Sequence, residues 1–322
     1  MRLLTLAEAL HDRGHEVILA SAEIDVPWLS EAVAAAGVEV VSTVRDDIDV
    51  AQLAALGADW VVVDSYLVPA DAISALDERV PVLLVADGDA RGARASLYLD
   101  QNLGAPVLPG VAEGAQLRGA AYALVRRAVR DSAASDPVAL RHAPPEVVVV
   151  LGGTDPDDRT IEVASACAGL ADRAAFAFVA PERQHDALRA AGRGAAHWRV
   201  MAQTPDLPAL LGGADVVVSA GGTSAWDVGT LAAPAVLLAV VPNQQASLAA
   251  VAAAGIALGF DLVDGRGDMG EVARAVERLL GDEDLRASLV AACRATFDGR
   301  GAERVVQVLE ERARTRAPAP SP

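Results

Sequence analysis

Two glycine-bearing strings in the second half of this chain have the composition of an anion site. LGGTDPDD (151–158) follows a run of β-branched residues. Its adjacent glycines, Gly152 and Gly153, let the backbone approach a ligand closely, and the amides opening a following helix favour a phosphate. Thr154 adds a hydroxyl donor and Asp155 is placed to cap the helix. The same string also serves as an ordinary strand-to-helix turn. The longer string SAGGTSAWDVGTLAAPAVLLAVVPNQQ (219–245) is more informative. A strand ends in Ser219, Ala220, Gly221, Gly222 and Thr223, and a helix is expected from about Ser224. Two glycines between a strand's carboxyl end and a helix N-terminus form a diphosphate cradle that needs no lysine and no metal. Asp227 falls about one turn into that helix, where a carboxylate can accept hydrogen bonds from both hydroxyls of a ribose. Its alternative role is to complement the helix dipole, worth roughly 0.3–1 kcal/mol. Asn243, Gln244 and Gln245 close the next strand, and consecutive amides suit neutral hydroxyl and carbonyl recognition. A turn and helix cap accounts for Asn243 alone.

In the first half, VVVDSY (61–66) and LDQN (99–102) place polar groups after strands, where open α/β sheets bind ligands. Asp64 and Asp87 are the assisting acid/base candidates, or they satisfy loop amides. Tyr66 and Asn102 stand with them as substrate-binding candidates. His15 precedes a strand, on the side away from ligands, and is read as structural. The other histidines, His11, His142, His185 and His197, lack metal-ligand spacing, so no metal is expected. A nicotinamide cofactor is also not expected, because no G-x-G-x-x-G is followed by an acid about 20 residues later. No other cofactor is indicated.

These groups need a scaffold, and the apolar pattern supplies one. Buried parallel strands are expected at 16–20, 38–41, 60–64, 82–87 and 96–100, then at 146–153, 175–180, 197–202, 215–222 and 235–241. Helical stretches separate most of them, and three more close the chain at 269–280, 284–297 and 302–312. Strand–helix alternation with short connections gives parallel sheets covered on both faces. The segment RDSAASDPVALRHAPPE (130–146) resembles a linker. The expected architecture is α/β, with two Rossmann-like domains at about 1–135 and 145–316, a ligand cleft between them, and a disordered tail at 317–322. The opening MRLLTLAEALHDRG has helical spacing ending in Gly14, where a doubly wound domain should begin with a strand. Loss of that strand leaves neighbouring edges unpaired, so a start upstream of Met1 is the expectation.

Composition narrows the class. Of 322 residues, 52% are hydrophobic and 22% charged, which describes a globular body. Acids outnumber bases 44 to 27, for a net charge of −17, which disfavours a nucleic-acid partner. Cys167 and Cys293 are too few for a disulfide framework. The longest near-continuous apolar stretch, 231–242, is too short for a membrane span. The start lacks the marks of a signal peptide, so the chain is read as cytoplasmic. Lysine is absent, and asparagine occurs only at Asn102 and Asn243.

The series RGHEV, VVVDSY, LDQN, GAAYALVRRAV (119–129), LGGTDP, SAGGTSAWD, PNQQ and GRGAERV (299–305) resembles, in that order, the UDP-sugar hydrolases of the pseudaminic acid pathway (PseG) and their spore-coat SpsG-like relatives. The second half also resembles the nucleotide-binding half of MurG-type glycosyltransferases. The resemblance implies a GT-B fold and metal-independent hydrolysis of a UDP-linked diacetamido-trideoxyhexose to UDP and free sugar, feeding nonulosonic acid or surface polysaccharide synthesis. It implies that Gly152, Gly153, Thr154 and Ser219 to Thr223 line the diphosphate. Asp227 would take the ribose role that Glu has in the family, and Asn243 and Gln244 would meet the sugar or adjoining phosphate. The family's first turn carries G-x-G-H-x-x-R, with the His as base; Met1–Arg2 match only its end, so the glycines and His are expected upstream. A UDP-sugar-dependent glycosyltransferase is the close alternative, and a non-catalytic UDP-sugar-binding protein the alternative of another class.

Overall fold

The computed structural model describes residues 1–21, 27–43, 48–153, 155, 157–265 and 267–316; Thr154 and the expected tail at 317–322 lie outside the described residues. The chain forms two compact units, Met1–Val125 with Gly299–Pro322, and Arg126–Asp298. This differs from the expected boundaries in two ways. The expected linker is packed onto the second unit, because the wholly buried carboxylate of Asp215 accepts the backbone N–H of Arg141 at 2.6 Å and of Glu146 at 2.8 Å, with His142 Nδ1 at 2.9 Å. The last helix, Gly301–Arg316, belongs with the first unit rather than the second. Ala302, Val305, Val306 and Leu309 on that helix share a core with Leu6 of the first helix and with Leu83, Leu97 and Leu99.

The first unit opens with the helix Arg2–His11. Its strands are β1 (Ile18–Ser21), β2 (Glu39–Ser42), β3 (Val61–Val63), β4 (Val82–Val85), β5 (Leu97–Asp100) and β6 (Gln116–Arg118). They form two separate parallel sheets, β1-β2 and β3-β4-β5-β6. Among the described residues no strand precedes the first helix, and β1 and β3 each have one bonded neighbour. Val40 on β2, in the two-stranded sheet, is 49% exposed. His15 lies 3.0 Å from Glu310 on the last helix, in line with a structural role.

The second unit holds β7 (Glu146–Val150), β8 (Ala175–Val179), β9 (Trp198–Met201), β10 (Val216–Ala220), β11 (Ala235–Ala239) and β12 (Leu258–Asp261). All are parallel, in the order β12-β11-β10-β7-β8-β9. Val147, Val149, Phe176, Phe178, Val216, Val218, Val236 and Leu238 on one face, and Val148, Ala177, Val217 and Leu237 on the other, are completely buried, as expected for a sheet covered on both faces. Strand order reverses between β7 and β10, and this is the switch point at which doubly wound sheets open a crevice. The register pairs Ser219 with Val150, so the two glycine-bearing turns emerge from neighbouring strands. The sequence pattern omits β6 and β12 and places β1 two residues early.

Two of the motif strings meet inside the first unit. Gly301 starts the last helix, and a methyl group there would run into the backbone of Ala123 and Tyr122. Backbone cannot move aside as a side chain can. Gly301→Ala is therefore expected to destabilise the first unit by roughly 1–3 kcal/mol, measured as a lower urea midpoint.

Candidate functional site

The turn after β10 leaves backbone donors open. Gly221 donates its N–H to Leu238 O at 2.7 Å and so closes the sheet. The helix Ser224–Leu231 follows, and no side chain caps it. Its first internal contacts are Ala225 N–H to Gly222 O and Trp226 N–H to Thr223 O. The amides of Gly222, Thr223 and Ser224 thus have no acceptor among the described residues, and these are the donors that carry the positive end of the helix dipole. Ser219 and Ala220 lie within β10, with Ser219 wholly buried and its hydroxyl unpaired, so both are part of the sheet that holds the turn.

Gln244 completes this corner. Its Oε1 accepts the Val240 N–H at 2.9 Å, which fixes the side chain. Its Nε2 then lies 3.3 Å from where a Cβ on Gly222 would sit. Asn243 is exposed in the short turn Pro242–Gln244. Gln245 has a structural contact, donating to Asp261 Oδ2 at 2.7 Å. Asp227, one turn into the helix, is largely buried and pairs with Arg126 Nη2 at 3.6 Å. Burial pushes its carboxyl up to about 6, and Arg126 opposes that shift only in part. Sequence reasoning missed Arg126. It sits in the string ALVRRAV, but nothing local marks it as the partner of a residue about 100 positions later.

The neighbouring turn after β7 differs. Gly152 takes φ +95°, which glycine adopts without strain. Gln203 donates to the Gly153 carbonyl. The carboxylate of Asp155, as its position suggests, caps the helix Arg159–Cys167 by accepting the N–H of Arg159 at 3.0 Å and of Thr160 at 2.9 Å. Gln184 Nε2 holds the same carboxylate at 2.9 Å. The amides expected to favour a phosphate here are thus already occupied by the protein's own anion, which leaves the backbone at Gly152 and Gly153 as this turn's contribution.

The first unit gathers its four candidate residues into one network organised by Arg2, another residue whose role the sequence did not disclose. The Arg2 guanidinium forks onto Asp64, with Nε–Oδ2 at 3.0 Å and Nη2–Oδ1 at 2.6 Å. Its Nη1 reaches both oxygens of Asp87, at 2.7 and 2.8 Å. Tyr66 donates its hydroxyl to Asp87 Oδ2, and Asn102 Nδ2 donates to Asp87 Oδ1 at 3.1 Å and Asp100 Oδ1 at 2.9 Å. Burial alone would raise the Asp87 carboxyl; Arg2, Tyr66 and Asn102 outweigh it and hold the group below its ordinary value. Burial raises Asp100. Among the described residues each Asp87 oxygen accepts two donors, whereas each Asp64 oxygen accepts one, from Arg2. Asp64 therefore retains acceptor capacity that Asp87 has already used. Burial pushes the thiols of Cys167 and Cys293 up to about 12, which removes them as nucleophiles. Among the described residues no cluster of His, Cys, Asp or Glu is arranged to hold a metal, and no helix is long and apolar enough to cross a membrane.

No family model matches the chain. The spore coat polysaccharide biosynthesis protein SpsG of Bacillus subtilis (strain 168) is 27% identical over 169 residues, covering 51% of this chain and 50% of that protein. The chain is similar to SpsG. It matches about half the length of that relative. Among solved structures, S. aureus MnaA in complex with UDP superposes with a TM-score of 0.68 at 14% identity, covering 100% of this chain and 96% of that one. MurG of Acinetobacter baumannii gives 0.66 at 15% identity, covering 96% and 95%. The spinosyn rhamnosyltransferase SpnG with its aglycone gives 0.63 at 17%, covering 95% and 96%. These superpositions establish the fold, two Rossmann-like α/β domains of the GT-B type, and SpsG is a relative of the kind that the ordered motifs resemble.

The Arg2 network yields a prediction. Arg2→Met leaves two carboxyls facing one another in a largely buried place, and should destabilise the first unit by about 3 kcal/mol. Asp87 lies below its ordinary 3.8 in the folded chain. Its stabilisation is therefore complete above about pH 4 and disappears as pH falls through the folded value. Urea unfolding at a series of pH values should show this acid loss in the parent chain and a weaker one in the variant.

Proposed function

We propose that this chain is a nucleotide-sugar enzyme of surface polysaccharide synthesis, with the second unit binding UDP. The observation that carries the reading is the uncapped amide cluster of Gly222, Thr223 and Ser224, flanked by Asp227 and Gln244 at the switch point of the sheet. The diphosphate would accept these amides. The ribose hydroxyls would donate to Asp227, and the backbone at Gly152 and Gly153 would form the opposite wall. Gln244 and Asn243 would meet the sugar or its phosphate. The solved relatives with bound UDP and thymidine diphosphate support a nucleotide on this fold.

The reaction we infer is metal-independent hydrolysis of a UDP-linked 2,4-diacetamido-2,4,6-trideoxyhexose. Water attacks the anomeric carbon, the bond from that carbon to the diphosphate oxygen breaks, and the amide cluster takes up the negative charge that develops on the departing UDP. The resemblance implies a catalytic base in a G-x-G-H-x-x-R turn, to whose closing residue Arg2 corresponds. Glycosyl transfer is the second reading, favoured by the fold's likeness to MurG and to the rhamnosyltransferase. Incubation with the UDP-sugar and no acceptor separates the two: free sugar and UDP in equal amounts support hydrolysis, and release only after a hydroxyl acceptor is added supports transfer.

Two variants test the nucleotide site by calorimetry. Asp227→Ala should weaken UDP binding by roughly 1–3 kcal/mol, the cost of unmade hydrogen bonds to a charged group; unchanged affinity removes the ribose role. Gly222→Val adds a branched side chain where even a Cβ lies 3.3 Å from Gln244 Nε2. It should lower UDP affinity by more than about tenfold, or 1.4 kcal/mol.

A further inference from the structure

Asp227 has an unusual set of neighbours for a buried carboxylate. Its one ion-pair contact is Arg126 Nη2 to Oδ2, at 3.6 Å, and Oδ1 has no protein partner among the described residues. Both side chains keep some exposure, 22% for Arg126 and 19% for Asp227. Arg126 is not a loose surface cation. It is the N-cap of the helix Arg127–Asp131, its carbonyl accepts the Val129 N–H at 3.1 Å, and Val129 is completely buried. Gly212 on the helix Leu207–Gly213 has no side chain, and any side chain there would strike the Ser132 carbonyl, so the short helix can lie close against its neighbour. The backbone therefore holds Arg126 at the edge of the nucleotide corner.

We propose that Arg126 is the positioning residue for Asp227: it keeps that carboxylate charged in its buried place while leaving Oδ1 free to accept the vicinal hydroxyls of a ribose. The inference rests on the nucleotide reading above. Other charges lie on the elements packed around Asp227. The Arg126 helix adds Arg127, Arg130 and Asp131, and the helix Glu283–Thr296 carries Glu283, Asp284, Arg286 and Arg294. Arg286 is engaged with the carbonyls of Val138 and Leu279, and Arg294 with that of Ser135. Neither the helix Leu207–Gly213 nor β10 carries a charged side chain. None of these groups pairs with Asp227, and Arg126 is the charged group that offsets its burial.

The test is UDP affinity of the full chain as a function of pH for the parent, Arg126→Gln, Arg126→Lys and Asp227→Asn. The Asp227 carboxyl of the parent sits at about 6, so the charged form that accepts the ribose is present above that pH and is lost below it. Without Arg126 the group needs a higher pH to ionise. Arg126→Gln should move the midpoint up by about one unit, weakening binding about tenfold below that midpoint and restoring it to within about threefold well above it. Arg126→Lys should keep the midpoint near that of the parent. Asp227→Asn gives the part of the profile that belongs to the nucleotide's own phosphate. An equal loss in Arg126→Gln at every pH, or an unmoved midpoint while Asp227→Asn binds weakly, overturns the positioning role alone. If Asp227→Asn binds UDP as tightly as the parent at every pH, the ribose reading falls as well, and this inference with it.

Discussion

The arrangement of the second unit turns on which helix start has its amides occupied. Helices follow both β7 and β10, which are neighbours in the sheet, and the first amides of any helix lack partners within it. After β7 the protein supplies its own anion, because Asp155 accepts from Arg159 and Thr160. After β10 no side chain does so, and Gly222, Thr223 and Ser224 keep their donors. A carboxylate already bound at a helix start makes a second anion unwelcome there. The same lattice of strands thus produces one closed turn and one open turn, and the proposed diphosphate site rests on this asymmetry.

The first unit uses charge differently. A single guanidinium binds two carboxyls, and Tyr66 and Asn102 fill the remaining positions around Asp87. In a chain without lysine and with a large excess of acids, each arginine placed among carboxyls matters more than usual. Arg2 and Arg126 do related work in their respective units. Each pairs with an acidic group in a largely buried position.

Much of this was legible in the sequence because the relevant signals are local. The β-branched runs give the strands, and the strings at 151–158 and 219–245 give the two turns. Asp155 as a cap follows from its place before a helix. The ion pairs were not legible, since Arg2 and Asp87, or Arg126 and Asp227, are far apart in the chain and no local pattern links them. The short strands β6 and β12 have sequences QLR and LGFD, with little of the β-branched character that marks a strand. Chain order assigns the last helix to the second domain, whereas its apolar face finds Leu6 about 300 residues back and the strands β4 and β5 about 200 back.

A crystal structure of the full chain soaked with UDP tests the central claim most directly. The account predicts diphosphate oxygens within hydrogen-bond distance of the Gly222, Thr223 and Ser224 amides, with the ribose hydroxyls on Asp227. A nucleotide seated at the helix that Asp155 caps, or anywhere away from the β10 turn, would contradict it.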